Sequence, residues 1–204
     1  MRNFKYFTEN FKFFPEEPLT NISIPSPNLD LDSAVEKLKK LMSTRTPENE
    51  ESIRLHDEQP FYAIEKYCEK NGLMFHDNEM MDIVRDANPT IYHFKNKFKL
   101  TRPFDHDRSI APMVSTTNKT FSYPSGHATQ SMLVGLYVSS KFPEHKEGVI
   151  EAAKECGYGR VLAGWHYMQD YTAGNLLAEK MFPLMNKSDY GKALSKNDKI
   201  NRKR

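Results

Sequence analysis

Cysteine is scarce in this chain: Cys68 and Cys156 are its only 2 in 204 residues. Two thiols so far apart supply neither a disulfide framework nor a zinc knuckle, so both are expected to be reduced packing residues. Long apolar runs are missing too. A transmembrane helix needs about 18 consecutive apolar residues. The nearest approach, Met132 to Val138, is far shorter, and the mean hydropathy is -0.70, so no transmembrane segment is expected. The N-terminus holds Phe4, Tyr6, Phe7, Phe11, Phe13 and Phe14, but Lys5, Glu9, Asn10 and Lys12 interrupt them. No apolar stretch of a signal peptide results, and with Met1 as the start the expected location is the cytoplasm. A strong bias of charge is also lacking. The 29 Lys and Arg against 27 Asp and Glu leave a net charge of +2, too little to imply a nucleic-acid partner.

What is present reads as one folded domain with a solvated surface: 38% hydrophobic and 27% charged residues, in a chain long enough to bury a core. Residues 1–32, with Pro15, Pro18, Pro25 and Pro27, show no period and are expected to form an extended arm over the body. Residues 33–186 read as the helical domain, and 187–204 as a basic, solvated tail. Ser33 and Glu36 make a capping-box pattern ahead of Val35, Leu38, Leu41 and Met42. A second helix is expected over 60–71, with Phe61, Ile64 and Cys68 on one side and Gly72 as its stop. Met80, Ile83, Val84 and Ala87 mark a third helix ended by Asn88-Pro89. Pro89 then opens a fourth that carries Ile91, Phe94, Lys95 and Phe98. The stretch 101–123 is a long loop, a length that is uncommon unless functional. Pro124 opens an apolar helix to about 142, and further helices cover 147–162 and 171–185. No strand pattern or repeat occurs, so the predicted class is all-α.

Three blocks carry chemistry. Lys95-x6-Arg102-Pro103 brings two cations, a pattern that alone usually marks a solvated surface. Pro124-Ser125-Gly126-His127 sits at a helix start, where backbone N–H groups and the helix dipole favour an anion; alone it also describes a turn into a buried helix. Arg160-x5-His166-x3-Asp170 lies among Gly157, Gly159 and Gly164. An Asp four residues after a His can accept its Nδ1–H and leave Nε2 facing a substrate, although the same spacing fits a surface pair or two metal ligands. Together the blocks fix ten positions at about one in twenty each, a chance of roughly 10⁻¹³ before placement is allowed for.

In that order the blocks resemble the signature of the type 2 phosphatidic acid phosphatase superfamily. That group includes class A bacterial non-specific acid phosphatases, lipid phosphate phosphatases and vanadium-dependent haloperoxidases. The resemblance covers Lys95 to Asp170 and implies a single-domain helical bundle of that type. It also implies metal-independent hydrolysis of phosphate monoesters through a phosphohistidine, with no cofactor. His166 would be the nucleophile, Asp170 its orienting carboxylate and His127 the acid and then the base. Lys95, Arg102, Arg160, Ser125 and the Ser125 and Gly126 N–H groups would hold the phosphate. Gly159 stands where the family usually has Ser, so a hydroxyl that would help hold the phosphate is expected to be missing. With both imidazoles starting near pKa 6.5, one neutral and one charged, activity is expected to peak at neutral to mildly acidic pH.

The partner is then a small phosphorylated substrate, and exposed helical faces leave room for a homodimer. Four rival readings stand beside this one: a lipid phosphatase at a membrane surface, a vanadium-dependent haloperoxidase, a zinc hydrolase using His127, His166 and Asp170, and a module that binds a phosphorylated ligand without turnover.

Overall fold

The computed structural model describes residues 11–115 and 119–186. The first ten residues of the expected arm and the whole basic tail lie outside that set. Within it, eight α-helices and no strand occur: α1 Leu31–Met42, α2 Pro47–Glu58, α3 Tyr62–Lys70, α4 Asp77–Phe98, α5 Pro103–His106, α6 Gly126–Lys141, α7 Lys146–Leu162 and α8 Met168–Met181.

At the centre lies α6, packed against α4, α7 and α8. It is apolar nearly all round, with Met132, Leu133, Val134, Tyr137 and Val138 buried, as a helix enclosed on every side must be. The arm joins the same core. Phe13, Phe14, Ile22 and Ile24 are buried in it. Asp86 of α4 accepts the backbone N–H groups of Lys12 at 2.7 Å and Phe13 at 2.9 Å, and Lys12 pairs with Asp82.

Several boundaries differ from the sequence reading, each for a local reason. α1 begins at Leu31 because Asp30, not Ser33, is the N-cap; its carboxylate accepts the Ser33 N–H. α4 runs through Pro89 as a single helix of 22 residues. A proline inside a helix removes one hydrogen bond, but Ile83, Ala87, Ile91 and Phe94 form one continuous face buried in a single core, and that burial keeps the halves in line. α6 begins at Gly126, with Ser125 as N-cap and Pro124 outside. α8 starts at Met168 and stops at Met181, followed by a short 3-10 turn, Phe182–Leu184.

The long segment after α4 contains α5. It is tied down by Met113 N–H to the Ala163 carbonyl at 2.9 Å and Ser122 N–H to the Leu100 carbonyl at 2.8 Å. α2 was not expected at all. Thr46 and Asn49 cap it reciprocally and Pro47 fills its first position, a strong start signal. Its buried face is Ile53, His56 and Asp57, too polar to show an apolar period.

Candidate active site

The three sequence blocks meet in one cleft of about 440 Å³, into which Lys95, Arg102, Gly126, His127 and His166 open. Lys95 comes from the last turns of α4, Arg102 from the residue before α5, and Gly126 and His127 from the first turn of α6. Arg160 lies near the end of α7 and Asp170 in the first turn of α8. Gly164, at φ 83°, turns the chain between α7 and α8 and brings His166 to the cleft; only glycine takes that backbone conformation without strain.

His166 is 2% exposed and Asp170 is fully buried. His166 Nδ1 lies 3.0 Å from Asp170 Oδ2, the same oxygen that accepts from Ser122 Oγ at 2.5 Å and the Tyr167 N–H at 3.0 Å. A carboxylate at Nδ1 fixes the proton there and leaves the Nε2 lone pair outward. Arg102 Nη1 meets that nitrogen at 3.3 Å. Arg102 is itself held by the carbonyls of Thr120 at 2.7 Å and Trp165 at 3.0 Å. Lys95 Nζ donates to the carbonyls of Phe121 at 2.6 Å and Ser122 at 3.2 Å.

Buried cations this close together disfavour one another's charge. Burial, then Arg102, pushes the Lys95 ammonium down to about 7, against the pull of Asp170. Burial and Arg160 lower Arg102 to about 10. His166 falls well below its ordinary value through burial and the three cations Arg102, Lys95 and Arg160. His127 is pulled down to about 3, by burial and then Arg160, with Asp57 opposing. Asp170 rises to about 6 because it is buried, although Ser122, the Tyr167 N–H and Lys95 favour its charge. Each of these cationic shifts shrinks when an anion enters the cleft.

The charged form of both imidazoles is therefore disfavoured, against the expectation that one begins charged. Burial and the surrounding cations cause it. A second correction concerns Ser125. Its N–H is donated to the Asp170 carbonyl at 3.0 Å, and its Oγ accepts the Ala128 N–H as the cap of α6. Of the two residues expected to supply backbone donors, Gly126 lines the cleft and Ser125 does not.

Three participants were not legible as site residues. Ser122 steadies Asp170. Asp57 and Ser115 hold Arg160: its Nη1 lies 2.5 Å from Asp57 Oδ1 and its Nη2 2.9 Å from Ser115 Oγ, which donates to Asp57 at 2.8 Å. Asp57 also faces His127, whose Nε2 lies 3.2 Å from its carbonyl oxygen and 3.9 Å from its carboxylate. Ser122 and Ser115 lie inside the long loop singled out as functional by its length; Asp57 carries no motif at all. Gly159 turns out to face away from the phosphate position. A Cβ there would stand 3.1 Å from Ile53 Cγ1 and 4.0 Å from His56 Nδ1, so the missing side chain makes room for α2 and removes nothing from the cleft.

Besides the cations, the cleft is lined by the apolar side chains of Pro60, Met81, Val84, Ile91 and Tyr92 and by Asn88 and Gln130. Among the described residues no three His, Cys, Asp or Glu side chains are grouped to hold a metal ion. His127, His166 and Asp170 are not such a group, and Arg102 occupies the approach to His166 Nε2.

Comparison with known proteins agrees with this geometry. Residues 87–189, just over half of the chain, match the model of the PAP2 superfamily. The non-specific acid phosphatase of Salmonella typhi is 33% identical over 91 residues, which are 43% of this chain and 36% of that protein. The acid phosphatase of Zymomonas mobilis is 32% identical over 87 residues, 41% and 33% of the two chains. The match thus spans about a third of the length of these relatives. A solved structure, the transmembrane PAP2 type phosphatidylglycerolphosphate phosphatase of Bacillus subtilis, superposes with a TM-score of 0.53 over 87% of this chain and 90% of that one, at 20% identity. That likeness is one of fold, and no helix among the described residues of this chain is long and apolar enough to cross a membrane. With the all-α fold, the convergent blocks and the family model in agreement, this chain belongs to the PAP2 superfamily.

Proposed function

We propose that this chain hydrolyses phosphate monoesters through a covalent phosphohistidine at His166 Nε2, with cationic side chains serving where other phosphatases use metal ions. The observation that carries the reading is the line Asp170–His166–Arg102: a carboxylate holds Nδ1 at 3.0 Å and a guanidinium waits 3.3 Å from Nε2. Phosphoryl transfer needs fixed positive charge around the equatorial oxygens more than it needs covalent chemistry from the protein. A unit charge about 4 Å from an anion contributes roughly 4 kcal/mol at an effective dielectric near 20, before desolvation, and Lys95, Arg102 and Arg160 stand around this point.

An incoming phosphate draws Arg102 off Nε2 onto its own oxygens, with the Gly126 N–H as a further donor. Nε2 attacks phosphorus as the ester P–O bond breaks, and His127 gives its proton to the leaving oxygen. Water then attacks the phosphohistidine, neutral His127 takes a proton from that water, and the P–N bond breaks. The products are the alcohol and inorganic phosphate, and His127 ends protonated as it began. Burial and Arg160 disfavour the charged form of His127, so the proton it donates arrives with the substrate, whose second ionisation lies near pKa 6. Activity then favours mildly acidic pH.

The apolar wall, including exposed Met81 and Tyr92, favours leaving groups with an aromatic or aliphatic body. Gly159, the one ground for a module that binds without turnover, faces α2 and so no longer supports that reading.

The test is a substrate panel followed by phosphate release with and without vanadate, together with rapid acid or base quench after mixing with ³²P-labelled substrate. Turnover inhibited by vanadate and unaffected by EDTA, with an acid-labile, base-stable label that is absent in His166→Ala, is the expected result. Turnover retained by His166→Ala, or strict dependence on added divalent metal, overturns the reading.

A further inference from the structure

We infer that Asp57 is a positioning residue shared by the two halves of the site: it braces Arg160 and holds His127 at Nε2. The inference rests on the phosphatase reading and adds a residue from a helix that none of the sequence blocks touches. The geometry has two parts. Asp57 Oδ1 accepts from Arg160 Nη1 at 2.5 Å, and Ser115 Oγ closes the triangle with contacts of 2.8 and 2.9 Å. His127 Nε2 lies 3.2 Å from the Asp57 carbonyl and 3.9 Å from its carboxylate.

A carbonyl oxygen can only accept, so Nε2 carries the hydrogen, and Nδ1 is the nitrogen left to exchange a proton with the leaving group and then with water. The two imidazoles are thus held at opposite nitrogens, His166 Nδ1 by the Asp170 carboxylate and His127 Nε2 by the Asp57 backbone carbonyl, with the Asp57 carboxylate 3.9 Å away. An imidazolium at position 127 has to form against the surrounding positive charge. It is faced by Lys95 from α4, Arg102 and Lys119 from the segment before α6, Arg160 from α7 and His166 ahead of α8. Asp57 and Glu58, both from α2, supply the negative charge on that side, and Asp57 is the one in contact. Gly159 belongs to the same device, because its absent side chain lets Ile53 of α2 approach α7 closely.

Asp57→Asn isolates the charge, since the amide oxygen can still accept from Arg160 and the backbone carbonyl still faces Nε2. Loss of the carboxylate makes the imidazolium harder to form, while Arg160 keeps an acceptor on the amide and its contact with Ser115. The variant should therefore lose about 10²-fold or more in kcat on an alkyl phosphate, whose leaving group needs a proton, as expected for a lost general acid. On p-nitrophenyl phosphate, a good leaving group, kcat should fall by about tenfold or less, because general-acid help matters little there. KM and the Ki for vanadate should stay level or drop. A merely structural role would depress both substrates alike and raise KM, and that pattern overturns the inference.

For a variant that does not fold, the unaltered protein decides the matter. Nitrogen-15 spectra of its histidines with bound vanadate should show His127 protonated at Nε2 throughout and titrating at Nδ1; titration at Nε2 overturns the inference. If the unaltered protein releases no phosphate from any substrate yet shows this tautomer, the phosphatase reading fails while the Asp57 contact stands.

Discussion

Lys95 shows how far a single residue's chemistry depends on where the chain places it. The sequence marks it as a phosphate-binding cation; at 4% exposure beside Arg102 its ammonium is held to about 7. Its charge is present below that value and lost as pH rises through it, so phosphate binding to the free enzyme should weaken on the alkaline side. In Lys95→Arg the guanidinium stays protonated. The alkaline limb of kcat/KM should fall first with the substrate's second ionisation near pKa 6 and again with Lys95. The variant should lose that second fall, moving the upper part of the limb by about one pH unit or more, even if the longer side chain lowers the maximum. A pH series of kcat/KM for both proteins measures this, and an unmoved limb would assign it to another group. Gly159 teaches the converse. Its departure from the family pattern reads as a lost phosphate ligand on paper, whereas in space it points into α2.

At the scale of helices, the site depends on how closely α8 approaches the first turn of α6. Ser125 N–H is bonded to the Asp170 carbonyl at 3.0 Å, and a Cβ at Gly174 would stand 2.6 Å from the Ser125 carbonyl oxygen and 2.9 Å from Ala128 Cβ. Gly174→Ala must push α8 away. Overpacking of this kind typically costs about 1–3 kcal/mol, and because α8 carries Asp170 the loss should extend to kcat. Thermal melting and kcat on one substrate check both; an unchanged melt with wild-type turnover would show that α8 has slack. The same scale explains which helices were legible. α6 and α7 announce themselves by apolar content and length. α2 is invisible to a periodicity argument because His56 and Asp57 fill its buried face, although Thr46, Pro47 and Asn49 spell its start. Pro89 was read as a boundary by its local rule, and the shared core under both halves of α4 overrode it.

Over the whole molecule, the arm is part of the fold. Asp86 is fully buried and receives the N–H groups of Lys12 and Phe13 together with Arg85, fixing the arm where Phe13 and Phe14 enter the core. Asp86→Ala withdraws that acceptor. A lost buried partner costs about 1–3 kcal/mol, which for a chain of this size lowers Tm by about 3–10 °C. Calorimetry reads the shift, and a Tm equal to wild type would mean the arm is held by its aromatic residues alone.

The sequence by itself determined the helical class, the family and the chemical types at the site, because a signature of ten fixed positions survives any uncertainty about where helices begin. It also determined the Asp170–His166 pairing, which is a local spacing. Tertiary structure alone decided the rest. Asp57 lies 103 residues from the Arg160 it binds, and no local pattern encodes a contact at that distance. The lowered pKa values of His127 and Lys95 and the direction in which Gly159 faces are likewise properties of burial and neighbouring groups, which exist only after the helices have packed.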